Sequence, residues 1–132
     1  MKISQAARLA ELPVKTVRYY ADVGLVKPDG RNENGYRDYD LETVRKLTFV
    51  RRARSFDFSI DECRELLDLF EDKSRSSSDV KHLTLEKLSE IKARMRELQR
   101  LHDELANLAN ACSGDDRADC PIIDSFASGA YA

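Results

Sequence analysis

Hydrophobic positions recur along this chain at helical spacing, and the longest unbroken run of that pattern extends from Val80 to about Ala109 without a Pro or Gly. Leu88, Ile91, Met95, Leu98, His102, Leu105 and Ala109 fall on the a and d positions of a heptad. Leu101 and Leu108 widen the stripe, and Glu, Lys and Arg occupy the other faces. At 1.5 Å per residue such a helix is roughly 45 Å long, longer than a core of this size covers. The exposed seam predicts a homodimer.

Ahead of that helix the pattern breaks into short elements. Ser4 is placed to cap a helix through Ala10, and a second helix starts at Pro13, runs Val14 to Asp22 and stops before Gly24. Two short helices and a tight turn predict a helix-turn-helix. Its second helix turns Val14 and Val17 to the core and offers Lys15, Thr16, Arg18 and Tyr19 to a major groove. Leu25-Val26-Lys27-Pro28 reads as a strand, and Asn34-Gly35 as a tight turn before Tyr36-Arg37-Asp38-Tyr39. That hairpin is a small wing, with Arg31 at its tip and Tyr36 and Arg37 after the turn as candidate phosphate contacts.

Asp40 caps the next helix, whose buried face is Leu41, Val44, Leu47 and Val50 and whose end, Arg51-Arg52-Ala53-Arg54, adds Arg54 as a phosphate contact. Ser59 and Glu62 form a capping box ahead of Cys63, Leu66, Leu67 and Phe70, so Cys63 is a core residue. A polar connector leads to the long helix, with Ser78 or Asp79 as its cap. The divisions are thus residues 1–72 for the DNA-binding domain with its helix pair, 73–79 for the connector, 80–110 for the dimerisation helix and 111–132 for a loop and tail. Among these features a basic helix face is equally what solvation alone produces.

Charge strengthens the DNA reading. Residues 1–56 carry twelve Lys or Arg against seven Asp or Glu, whereas residues 57–132 carry ten against seventeen, within a net charge of -2. A basic front half suits a polyanion such as double-stranded DNA. No apolar run reaches membrane-spanning length and no signal peptide opens the chain, so a cytoplasmic protein without a membrane partner is expected. No nucleophile–base pairing, cofactor loop or carboxylate constellation points to an enzyme.

The remaining chemistry lies in the tail. Cys112 and Cys120 sit just past the long helix, in a loop with Gly114, and Pro121 is placed to start another short helix. Two thiolates with no evident third ligand suit a soft monovalent d¹⁰ ion such as Cu(I), with Ag(I) or Au(I) as alternatives, whereas Zn(II) prefers four ligands. The helix N-terminus at Pro121 can offset the residual negative charge, with Lys81 of a second subunit as a further candidate. Asp115, Asp116 and Asp119 read as solvated turn residues, and His82 and His102 do not read as ligands.

The element order and the strings Thr16-Val17-Arg18-Tyr19-Tyr20, Gly24-Leu25 and Asn34-Gly35-Tyr36-Arg37-Asp38-Tyr39 resemble the MerR family of transcription regulators over almost the whole chain. The tail from Ala109 to Ile123 is similar to the metal loop of that family's copper-responsive CueR-type branch. The resemblance implies a mainly α protein: a winged helix-turn-helix DNA-binding domain, a long antiparallel coiled-coil dimerisation helix and a C-terminal metal-binding loop. It also implies that Arg18, Tyr20, Tyr36 and Arg37 belong to the DNA surface. The dimer would act with RNA polymerase on a promoter with an overlong spacer, metal changing the shape of the operator DNA to activate it. Divalent-ion relatives carry a further Cys where this chain has Ser77. Ala21 stands where many relatives have Glu, and Asp57 where a Gly often precedes the second helix of the pair. Two other functions remain open for the same residues: a dithiol redox sensor using Cys112 and Cys120, and a metal-buffering protein whose basic half binds DNA nonspecifically.

Overall fold

The computed structural model describes residues 1–31 and 37–129, apart from the side chains of Arg31 and Arg37. Its elements are α1 (Ile3–Ala10), α2 (Val14–Asp22), β1 (Gly30–Arg31), β2 (Arg37–Asp38), α3 (Leu41–Ser55), α4 (Ile60–Glu71), α5 (Ser77–Ala111) and α6 (Pro121–Ser128). They form two compact units, Met1–Thr84 and Leu85–Ala132, and α5 runs through the boundary as one helix.

The first unit has one apolar core, built where the helical stripes converge. Ala6, Ala7 and Ala10 are buried, and their small side chains let α1 lie close against α2 and α3. Ser4 does not cap α1: the cap position is Lys2, without a side-chain bond, and Ser4 belongs to the first turn. Pro13 likewise stands just before α2 and not inside it, its extended ψ of 144° turning the chain into the helix.

Leu25 and Val26 are core residues, yet they form no strand. Their amides donate to the Tyr20 carbonyl at 2.9 and 3.2 Å, closing the end of α2 around Gly24, whose φ of +74° suits a residue without Cβ. Amides committed to a helix end cannot join a sheet ladder. The hairpin therefore begins later, at Gly30, with Gly30 opposite Asp38 and Arg31 opposite Arg37. This places Arg31 within a strand, and the Asn34-Gly35 turn lies outside the described residues.

Asp40 caps α3 as expected, accepting from the Thr43 amide and hydroxyl, both at 2.7 Å. Those bonds, the hydroxyl's first, hold its carboxyl below the usual carboxylate range. Thr43, Val44, Leu47, Val50 and Ala53 face the core, whereas Leu41, in the first turn, is exposed. Ser59 and Glu62 form the reciprocal capping box of α4, which buries Cys63, Leu66 and Leu67. Phe70 packs on Phe49 with ring centroids 4.6 Å apart. Asp57, just before this box, holds a left-handed φ of 70°, the conformation in which Gly is the least strained residue.

The long helix starts earlier than its sequence pattern suggests. Ser76 Oγ accepts the Ser78 amide at 3.2 Å, so Ser76 does the capping expected of Ser78 or Asp79. With 35 residues α5 is about 52 Å long. Its seam residues Leu88, Met95, Leu98, Leu101 and Leu105 are all exposed.

Candidate nucleic-acid interface and thiolate site

On α2, Lys15, Arg18 and Tyr19 share one face at the i, i+3, i+4 spacing, and all three are exposed, with Thr16 half-buried beside them. The opposite face carries Val17 and Tyr20. Tyr20, expected on the DNA surface, is 5% exposed and belongs to the core. It lies three residues after Val17, so the helical repeat that buries one buries the other. Burial raises its hydroxyl above the ordinary tyrosine value, and the Arg54 guanidinium hydrogen-bonded to it pulls the other way.

Arg54 is thereby more than a free cation at a helix end. It also donates to the Phe58 carbonyl at 2.7 Å, bracing the turn between α3 and α4 while remaining exposed. Arg64, on α4, donates from its two terminal nitrogens to the carbonyls of Gly24 and Val23 at 3.1 and 3.2 Å. The fork fits two carbonyls left open at the C-terminus of α2, fixing where that helix points. In the hairpin the backbone sets Arg31 and Arg37 opposite one another. Tyr36 lies outside the described residues.

The thiolate site is built from two helix ends. Cys112 follows the last residue of α5, its amide on the Ala109 carbonyl at 3.2 Å, and Cys120 occupies the cap position of α6, with Pro121 at the first helical position. The sulfurs are 3.9 Å apart, both half-buried, nearly twice the roughly 2.05 Å of a disulfide. They are two free thiols facing one point. The amide of Ile123, assisted by that of Ile122 and by the Cys112 thiol, holds the Cys120 thiol below its ordinary pKa. Partial desolvation and the Asp124 carboxylate oppose the shift. The shift favours the deprotonated form, the one that binds metal.

The loop between them is ordered by Asp115. Its carboxylate accepts the Arg117 backbone amide and the Arg117 Nε, both at 3.0 Å, and the Ser113 hydroxyl at 3.2 Å. Gly114, with φ of 66°, provides the bend. Asp115 is thus an organiser of the loop, a role that goes beyond a solvated turn residue. Among the described residues no group of three His, Cys, Asp or Glu side chains is arranged to hold a metal ion. His102 pairs instead with Asp103 at 3.1 Å. A two-thiolate donor set fits a soft ion content with few ligands and does not fit one needing four.

Beyond the loop, α6 and the last turns of α5 enclose an open apolar cleft of about 380 Å³, lined by Leu101, Leu105, Leu108 and Phe126 among others. Ile122 is half-buried, whereas Ile123 and Phe126 are each 63% exposed.

The family described as MerR HTH family regulatory protein matches residues 1–69, and that described as MerR, DNA binding matches residues 44–108. The chain belongs to the MerR family. It is 48% identical to the HTH-type transcriptional regulator HmrR of Rhizobium leguminosarum bv. viciae, over 98% of this chain and all of that one. It is also 48% identical to the HTH-type transcriptional regulator CueR of Salmonella typhimurium, over 96% of this chain and 91% of that regulator. The crystal structure of the transcription regulator PbrR691 from Ralstonia metallidurans CH34, in complex with lead(II), aligns with a TM-score of 0.82 at 32% identity. That alignment covers 96% of this chain and 98% of the other.

These likenesses place the chain in the CueR-like branch of the MerR family, whose members are DNA-binding transcription regulators and not enzymes. Among the described residues no helix is long and apolar enough to cross a membrane. Two functional features of this MerR regulator carry little signal in the sequence: the Arg64 clamp, which joins residues 40 positions apart, and the choice of Asp115 among three loop carboxylates.

Proposed function

We propose that this regulator senses Cu(I), and with it the soft monovalent ions Ag(I) and Au(I), through the thiolates of Cys112 and Cys120, and activates promoters by distorting operator DNA. The observation that carries this reading is the pair of free sulfurs 3.9 Å apart at the start of α6, without a third ligand grouped beside them among the described residues. The likeness to regulators named CueR supports the choice of copper. When bound, the ion supplies a soft positive charge shared by two thiolates. The chain does the rest. Asp115 holds the loop between the cysteines in shape, and the amides of Ile122 and Ile123 stabilise the thiolate of Cys120.

The DNA is read by Lys15, Thr16, Arg18 and Tyr19 of α2. Arg31 and Arg37 of the hairpin, together with Tyr36 and Arg54, contact phosphates, and Tyr20 serves from beneath by holding Arg54. Two chains pair antiparallel through the exposed seam of α5, so that one operator with two half-sites meets two α2 helices. Altering the dimer geometry bends and untwists the spacer, bringing both promoter elements into register for RNA polymerase. A regulator that acts on operator DNA in this way works in the cytoplasm.

The test is transcription from the native promoter, with operator affinity measured alongside. Cys112→Ser and Cys120→Ser are expected to lose Cu(I) activation entirely while binding operator as tightly as the parent. Full Cu(I) activation in the double variant ends the copper reading.

A further inference from the structure

The thiolate pair has a second chemistry available in the same geometry. Cys112 and Cys120 both reach solvent, whereas Cys63 is 0% exposed, so a soluble oxidant meets two of the three thiols and not the third. Cys112 lies beyond the last residue of α5 and Cys120 is the residue before α6. Bringing the sulfurs from 3.9 Å to the roughly 2.05 Å of a disulfide is therefore a movement of the loop between them, and neither helix has to unwind. Gly114 and the turn organised by Asp115 lie inside that loop.

We propose that Cys112 and Cys120 form a reversible intramolecular disulfide that locks the metal site shut, so that thiol oxidation opposes the copper response. This rests on the copper reading of the site. The step is an exchange with a small disulfide such as oxidised glutathione. One protein thiolate attacks a glutathione sulfur, forming a mixed disulfide and expelling one glutathione thiolate. The second protein thiolate then attacks the protein sulfur of that intermediate, closing the ring and expelling the other. The two protein thiols give up two protons and two electrons, and the oxidant becomes two glutathione molecules.

A single metal–thiolate bond, about 2.3 Å for zinc, is already longer than the entire S–S bond. The two occupancies thus draw the sulfurs toward different separations, and the oxidised pair has no thiolate left to donate.

Reduced full-length protein would be treated with oxidised glutathione, alkylated under denaturing conditions and weighed. The expected product is two hydrogens lighter with Cys63 alone alkylated, and Cys112→Ser stops at a glutathione adduct on Cys120. Cu(I) affinity, read by competition with a chelator, should fall by at least about a hundredfold, beyond the loss that disturbing an outer partner of a metal ligand causes. Dithiothreitol should restore it, and operator affinity should not change. Glutathione adducts persisting on both cysteines, cross-links between chains, or undiminished Cu(I) affinity after oxidation each overturn the lock. Failure of the reduced protein to bind Cu(I) overturns the copper reading and the lock's antagonism with it. Normal Cu(I) binding by reduced protein that forms no disulfide overturns the lock alone.

Discussion

Asp115 serves the thiolate pair without touching it. Its carboxylate gathers Ser113 and Arg117, residues that follow Cys112 and precede Cys120, and so keeps the loop in a shape that leaves the sulfurs facing each other. Asp115→Ala should therefore weaken Cu(I) binding by about tenfold to a hundredfold, the range found when groups that orient metal ligands are removed. Chelator competition measures it, and an unchanged affinity would show that Gly114 and the helix ends order the loop alone. The cysteines themselves were legible in the sequence, because thiol type, spacing and the following Pro121 are local facts. Which carboxylate turns inward was not, since Asp115, Asp116 and Asp119 differ only in the turn that carries them. Tyr20 is the opposite case. Its three-residue spacing from Val17 already marks the buried face, yet the resemblance to DNA-contacting positions drew it outward.

At the scale of elements, the direction of α2 depends on a residue from another helix. Arg64 of α4 donates to the Val23 and Gly24 carbonyls and so holds the C-terminus of the helix proposed to read DNA. Arg64→Ala should destabilise the fold by roughly 1–3 kcal/mol, the cost of leaving partly buried acceptors without partners. Urea unfolding measures that loss, and operator affinity should fall with it. Arg64→Lys should recover little, because a single ammonium cannot span two carbonyls as the guanidinium fork does. Equal stability of parent and Arg64→Ala would mean that Gly24 and the amides of Leu25 and Val26 close the helix unaided. Helix starts were readable at Asp40 and Ser59, where one side-chain cap stands directly before an apolar stripe, but not at α5, where Ser76, Ser77, Ser78 and Asp79 all offer a cap. The last residue of α2 was readable too, but not the groups that close the helix, because these come from Leu25, Val26 and Arg64, and the first two read locally as a strand.

For the whole molecule, the seam of α5 decides whether one chain is enough. Leu88, Met95, Leu98, Leu101 and Leu105 are each roughly half exposed or more, along a helix whose repeat is that of a coiled coil. So long an apolar row left in water favours association. Replacing Ile91 and Leu98 by Asp sets two carboxylates into that row, at a cost of several kcal/mol if a partner helix covers them. The core of Met1–Thr84 contains neither residue, so the DNA-reading unit should keep its fold while pairing fails. Sedimentation should then show monomers or aggregates, and affinity for a two-fold operator should fall toward that of a single half-site. A dimer of unchanged strength in the double variant would remove α5 as the pairing element and leave the proposed copper response without a means of reaching both half-sites together.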